Sequence, residues 1–283
     1  MATGSHAFKC KMMAAVAALV IPLGTLGAAV IASEDFSYTA GTLGSTGGTV
    51  PLSGLNGGTG WSSAWSGATT AAIVAGNLTY GTLNPTTAGN NCMEMNDGGD
   101  ENVTRTFSTT LGTTGTTGWF SYIAQKPGWF PSDSVSFGAA TAAFQLIGSH
   151  QEGSSLTTYP DNWSVKVGST TVATSVSART SPTLALWKVD FLAGEDNVSV
   201  WLNPDLSNGE AGLGTATATW SGTPSLDFTV NKITIQGWTQ QSIMVDRIAV
   251  GTTYGDVVPE PVGLSLLSLA SGVTLLRRRT RHA

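Results

Sequence analysis

Short runs that alternate apolar and polar residues recur along the middle of this 283-residue chain, each closed by turn chemistry. Residues 117–124, 140–147, 163–167, 170–176, 184–191, 197–202, 228–236 and 242–250 all read this way. A period of two marks a strand, whose side chains point alternately to opposite faces. Lys126-Pro127-Gly128, Val167-Gly168-Ser169 and the stretch from Ala193 to Asn197 interrupt the runs with turn-forming residues. Short strands at this spacing predict an all-β chain folded as two stacked antiparallel sheets, a jelly-roll sandwich.

Composition supports that class. Gly, Ser and Thr dominate, 11% of residues are charged, and windows rich in Ala, Leu, Glu and Lys are absent outside the two terminal segments. The roughly 225 residues between those segments suit one large sandwich better than two small domains. The expected organisation is a signal peptide over 1–32, a β-sandwich over 33–254, a linker over 255–258 and a sorting segment over 259–283.

Several local phrases carry the domain. Glu34-Asp35-Phe36-Ser37-Tyr38 opens it, and the glycines of Asn56-Gly57-Gly58-Thr59-Gly60 suit a tight irregular loop before Trp61 and Trp65. Trp119-Phe120-Ser121-Tyr122-Ile123, Val198 to Pro204 and Val245 to Gly251 follow. Strict alternation along 245–250 sets Asp246 and Arg247 on opposite sides. An inward Asp246 needs donors, for which the amides around Phe36 and Ser37 are candidates. Together these phrases resemble the concanavalin A-like, laminin-G-like jelly rolls of exported bacterial proteins. The resemblance implies two stacked sheets and an association with surface polysaccharide.

The ends read as addresses. Lys9 and Lys11 precede an uncharged apolar run from Met12 to Ile31, the pattern of a signal helix. Val30 and Ala32 then place tolerated or small residues at the usual recognition positions, so cleavage is expected after Ala32, with Ala29 as second choice. At the other end, Pro259-Glu260-Pro261 precedes an apolar stretch from Val262 to Leu276 and a basic stop at Arg277, Arg278 and Arg279. Fifteen residues make a helix of about 22 Å, short of the roughly 20 residues of a full bilayer crossing. The two prolines hold the motif extended, and the arginines favour the cytoplasmic side. This order resembles the PEP-CTERM sorting signal handled by exosortases. The resemblance implies an exosortase and signal peptidase as processing partners, and transient membrane anchoring by the short hydrophobic helix. It also implies delivery to the cell surface or extracellular matrix; the alternative is an ordinary C-terminal anchor.

Removing both ends changes the electrostatics. Between Ser33 and Val258 the chain keeps 7 basic and 17 acidic residues, a net charge of −10. A domain so acidic does not hold nucleic acid by neutralising phosphates. Cys92 is then the remaining cysteine, which excludes an intramolecular disulfide and reads as a small buried hydrophobe.

A search for chemistry finds few constellations. A retaining glycosidase needs two carboxylates about 5 Å apart, and the i, i+2, i+4 acidic pattern that would supply them on one strand is missing. His150 is the sole imidazole between the two signals, so neither a Ser-His-Asp triad nor a structural zinc site can be assembled. Asp97, Asp100 and Glu101 surround Gly98 and Gly99, hard ligands on a tight loop that suit a weak calcium site; the alternative is a solvated hairpin turn.

Indole faces suit sugar rings. Trp163, Trp187, Trp201, Trp220 and Trp238 lie in strand-like segments and read as core. Trp129, Phe130 and His150 lie on loops and are the candidate ligand-binding residues. The expectation is a non-enzymatic exported sandwich with a structural or adhesive role alongside exopolysaccharide. A lectin-like module with a defined glycan is the alternative, and a glycoside hydrolase a distant third.

Overall fold

A computed structural model describes residues 30–40, 51–68, 70–81, 83, 91–96, 101–127, 133–148, 162–179, 181–222, 226–237 and 242–258. Among these residues the chain begins with β1 (Val30–Glu34), β2 (Ser66–Gly67), β3 (Ala71–Ala75), β4 (Asn91–Asn96) and β5 (Glu101–Leu111). It continues through β6 (Thr116–Gln125), β7 (Ser134–Gly138), β8 (Ala142–Gly148), β9 (Asn162–Val167) and β10 (Thr170–Ser177). β11 (Thr183–Phe191), β12 (Asn197–Leu202), β13 (Ala218–Trp220), β14 (Val230–Gly237), β15 (Ser242–Gly251) and the short helix α1 (Tyr254–Val257) close it.

Two antiparallel sheets result. One runs β13-β12-β11-β6-β15-β4-β3 with β1 added on β15; the other runs β10-β9-β8-β7-β14-β5-β2. The chain crosses repeatedly from one sheet to the other, as in a jelly roll. All eight alternating runs are strands, with ends within two residues of those expected.

The layering explains which strands alternate and which do not. A large apolar cluster fills the space between the sheets, including Phe120, Tyr122, Phe137, Phe144, Trp163 and Trp187. A second cluster lies on the outer face of the first sheet, where Trp119, Ile123, Leu184 and Leu186 pack under Leu78, Tyr254 and Val257. Strands β6 and β11 are therefore buried on both faces and read as nearly continuous apolar runs. In the second sheet one face is covered, so β14 alternates: Ile233 and Ile235 inward, Lys232, Thr234 and Gln236 outward.

One polar connection crosses the interior. Glu34 on β1 and Arg105 on β5 belong to different sheets, and both side chains are buried as an ion pair. Arg105 also donates to Ser63 O at 3.0 Å, Asn56 Oδ1 at 2.8 Å and Gly57 O at 2.7 Å. Its guanidinium lies 4.7 Å from the ring centroid of Trp61. Glu34 accepts from the Phe36 amide, the Tyr38 hydroxyl and the Trp65 indole. Gly58 and Gly60 have positive φ in this loop, as its sequence requires.

Two elements lie across the expected domain limits. Strand β1 includes Val30, Ile31 and Ala32, ahead of the expected boundary at Ser33. Residues 255–258, expected as a linker, form most of α1 and its cap; Val257 and Val258 are buried in the outer cluster. Apolar residues at both positions need cover, which they find in the outer cluster with Trp119 and Ile123. The signal helix and the hydrophobic C-terminal segment lie outside the described residues. Among the described residues no helix is long and apolar enough to cross a membrane.

Removing one partner of a buried pair leaves an uncompensated charge and costs about 3–5 kcal/mol. Glu34→Ala and Arg105→Ala should each destabilise the domain on this scale in urea denaturation. The double variant should lose much less than the sum of the single losses.

Candidate binding face

The two outer surfaces of the sandwich are unlike. The outer cluster, α1 and the segments around Leu78 and Leu213 seal the first sheet. The second sheet presents small polar side chains, and registers join them into one line. Ser66 pairs with Thr104, Thr104 with Thr234, and Thr234 with Ser136. Ser136 then pairs with Gln145, Gln145 with Lys166, and Lys166 with Thr171. Directly paired residues point to the same face, so the row crosses all seven strands. At about 4.8 Å between strands its length is about 29 Å.

A shallow groove lies along this face beside the row. Its lining includes Ser134, Ser136, Gln145, Lys232, Thr234 and Gln236, with a volume of about 190 Å³. The inward partners on the same strands explain why these residues are held. Val135 and Phe137 on β7, and Ile233 and Ile235 on β14, anchor each strand in the core. Of the outward neighbours, Ser134 and Ser136 are buried, with Ser136 Oγ donating to Thr234 O at 3.2 Å, while Lys232, Thr234 and Gln236 are half-exposed. Hydroxyls, amides and an ammonium can donate to and accept from a hydroxyl-rich ligand; the lining residues include no carboxylate.

The expected site residues fall differently. Trp129, Phe130, His150, Asp97 and Asp100 lie outside the described residues. Glu101 is the first residue of β5 and accepts a 2.6 Å hydrogen bond from Thr70 Oγ1. No group of three His, Cys, Asp or Glu side chains among the described residues is placed to hold a metal ion. The motif residues Pro259, Glu260, Pro261, Arg277, Arg278 and Arg279 also lie outside the described residues. Trp163 and Trp187 are fully buried and Trp220 nearly so, while Trp201 stacks on Trp119 at 6.0 Å. Those four are core, as their positions in strands suggested; Trp238 lies outside the described residues.

The sealed face holds two titratable groups with large shifts, Asp246 and Cys92. Val245 and Ile248 both enter the inter-sheet core, so β15 bulges between them and both Asp246 and Arg247 serve the outer face. The strict alternation expected there is broken, with Arg247 at φ 49°. Asp246 accepts from the amides of Leu78 and Arg247, at 3.0 and 2.8 Å, and not from those around Phe36 and Ser37. Burial raises its carboxyl to about 7 despite those bonds and the nearby Arg247, and Asp35 adds to the rise. Burial likewise pushes the Cys92 thiol up to about 12, helped by Asp246 and Glu94, which suits an inert core thiol.

No family model matches the sequence, and no curated protein sequence matches it. Solved structures with a similar fold include the endo-1,3-beta-glucanase from Streptomyces sioyaensis. It is 10% identical with a TM-score of 0.46, and the alignment covers 82% of this chain and 98% of that one. The calreticulin globular domain of T. cruzi matches at 11% identity and a TM-score of 0.43, covering 76% and 95%. The Emp47p carbohydrate recognition domain matches at 7% identity and a TM-score of 0.41, covering 72% and 94%. At these values the similarity is one of two-sheet architecture and transfers no site.

The Asp246 proton generates a pH dependence. The folded protein keeps that proton to higher pH than the unfolded chain, whose carboxyl titrates near 3.8. Its contribution to stability is therefore full below about pH 4 and declines as pH rises to about 7. Measured against an Asp246→Asn variant across that range, the wild-type protein should lose relative stability steadily and then level off.

Proposed function

We propose that this protein is an exported, non-catalytic β-sandwich that associates with polysaccharide at the cell surface or in the extracellular matrix. One observation carries the reading: a polar row crosses an entire sheet on the open face, while the opposite face is closed. A surface of hydroxyls, amides and two lysines, Lys166 and Lys232, offers hydrogen bonds along a line rather than a deep pocket. The groove's 190 Å³ is below the roughly 300–1,000 Å³ of enclosed small-molecule sites. That size favours contact with an extended polymer over capture of one defined glycan. In this reading the face is the adhesive surface, and the lysines meet acidic substituents on the polymer.

A hydrogen bond to a charged group contributes about 1.5–3 kcal/mol, and each 1.4 kcal/mol is about tenfold in affinity. In gels cast with bacterial exopolysaccharide, the protein should be retarded, and Lys232→Ala should weaken retardation about tenfold or more. Lys188→Ala, on the sealed side, should migrate as wild type. Equal migration with and without the polymer would remove the polysaccharide reading.

We further propose that an exosortase acts on Pro259-Glu260-Pro261 and releases the domain from the apolar segment 262–276. The supporting feature is the ordered sequence of motif, short apolar run and Arg277 to Arg279. In a host carrying an exosortase, the wild-type chain should lose its tail, whereas Glu260→Ala should leave a longer, membrane-retained form. Identical processing of the two would defeat the sorting reading.

A further inference from the structure

We propose that the leader is removed between Ala29 and Val30, so that the mature chain retains Val30, Ile31 and Ala32 as the opening of β1. This rests on the export reading above. Sequence offers two cuts: one after Ala32, with Val30 and Ala32 at the recognition positions, and one after Ala29, with Gly27 and Ala29 there. Both satisfy the small-residue rule. The fold separates them.

Strand β1 is part of the first sheet before Ser33 is reached. Val30 pairs with Gly251 and Ala32 with Val250. Ala32 is fully buried in the inter-sheet cluster, and Ile31 packs against that cluster's margin. Losing these residues would remove the Val30 and Ala32 pairs with β15 and take a fully buried side chain out of the core.

The facing loop is shaped around the same three residues. A Cβ on Gly60 would collide with the Ile31 carbonyl oxygen and approach Ala32 Cα at 2.8 Å. Thr59 and Ser33 exchange two backbone hydrogen bonds of 2.9 Å each, directly beside this contact. Gly60 has a backbone neighbour to accommodate only while Ile31 is present.

Charge points the same way. A cut creates an ammonium group at the new first residue. At Ser33 that group would replace an amide already donating to Thr59 O, one residue from the buried Glu34. At Val30, which is 49% exposed, it would stand in water. Ser33 is half-buried and pinned in the Thr59 pairing, where a new ammonium is less fully hydrated than at Val30.

The test is N-terminal sequencing of the full-length chain exported from a bacterial host. The expected first residue is Val30. A folded, exported product beginning at Ser33 would overturn this inference while leaving export intact. A chain retained inside with its leader attached would overturn the export reading, and this inference with it. An Ala29→Leu variant supplies the second arm, because a bulky residue at the cut should abolish the Val30 product. If the variant is instead cut before Ser33 and melts at the wild-type temperature, the three residues are dispensable and the inference fails.

Discussion

The ion pair between Glu34 and Arg105 is the constraint around which the rest of the domain is arranged. It joins the two sheets through their shared interior, where neither charge has access to water. Such a pair gains little net stability, because desolvation offsets the attraction. Its consequence is specificity. Arg105 makes three further hydrogen bonds to the segment from Asn56 to Ser63, and Glu34 gathers Phe36, Tyr38 and Trp65. A slip of one residue in β1 or β5 would turn one charge outward and leave the other buried alone. The register of both strands, and the placement of the glycine loop against β1, therefore follow from one contact.

The sealed and open faces follow from how the chain spends its apolar residues. β6 and β11 carry large side chains toward both surfaces, so the first sheet needs a cover, and α1 with its flanking segments provides it. The second sheet turns its large apolar residues inward, which leaves Lys232, Thr234 and Gln236 half-exposed on its other face, beside the buried Ser134 and Ser136. A surface of short polar side chains on a rigid sheet has little conformational entropy to lose when a ligand lies across it. In the proposed function this favours the open face over the aromatic-rich one as the contact surface.

Much of the fold was legible in sequence because alternation and turn chemistry agreed over the second half of the chain. The strands that escaped notice have specific reasons. In β5 the inward positions include a charged residue, Arg105, so Glu101 to Leu111 does not read as an apolar-polar alternation. In β7, Ser134, Ser136 and Gly138 flank two apolar residues and resemble a loop. β1 begins within the apolar run from Met12 to Ile31, which reads as a targeting signal, so its strand went unread. The open face was illegible for a different reason. Its row joins seven residues from strands far apart in the chain, and each alone is an ordinary Ser, Thr, Gln or Lys. The phrases Glu34–Tyr38 and Asn56–Trp65 did mark a real junction, but the residue that joins them, Arg105, carried no local signal.

Strand β15 brings the two ends of the domain together. It pairs with β1, β4 and β6, bulges at Asp246 and Arg247, and runs directly into α1. The Val257 carbonyl accepts from Ser121 Oγ at 2.9 Å and from Arg247 at 3.4 Å, and the Thr253–Asp256 capping box fixes the helix start. The chain is thus clamped up to Val258, one residue before Pro259. In the proposed sorting, a protease acting at the proline motif would work beside a domain whose last strand is already locked. Cutting there would leave every described residue of α1 and its cap in place. The same logic applies at the other end, where the first strand begins at Val30 on the same β15. Under the two proposed cuts, both terminal segments can be lost without stripping β15, because the described residues that tie each end to it lie inside those cuts.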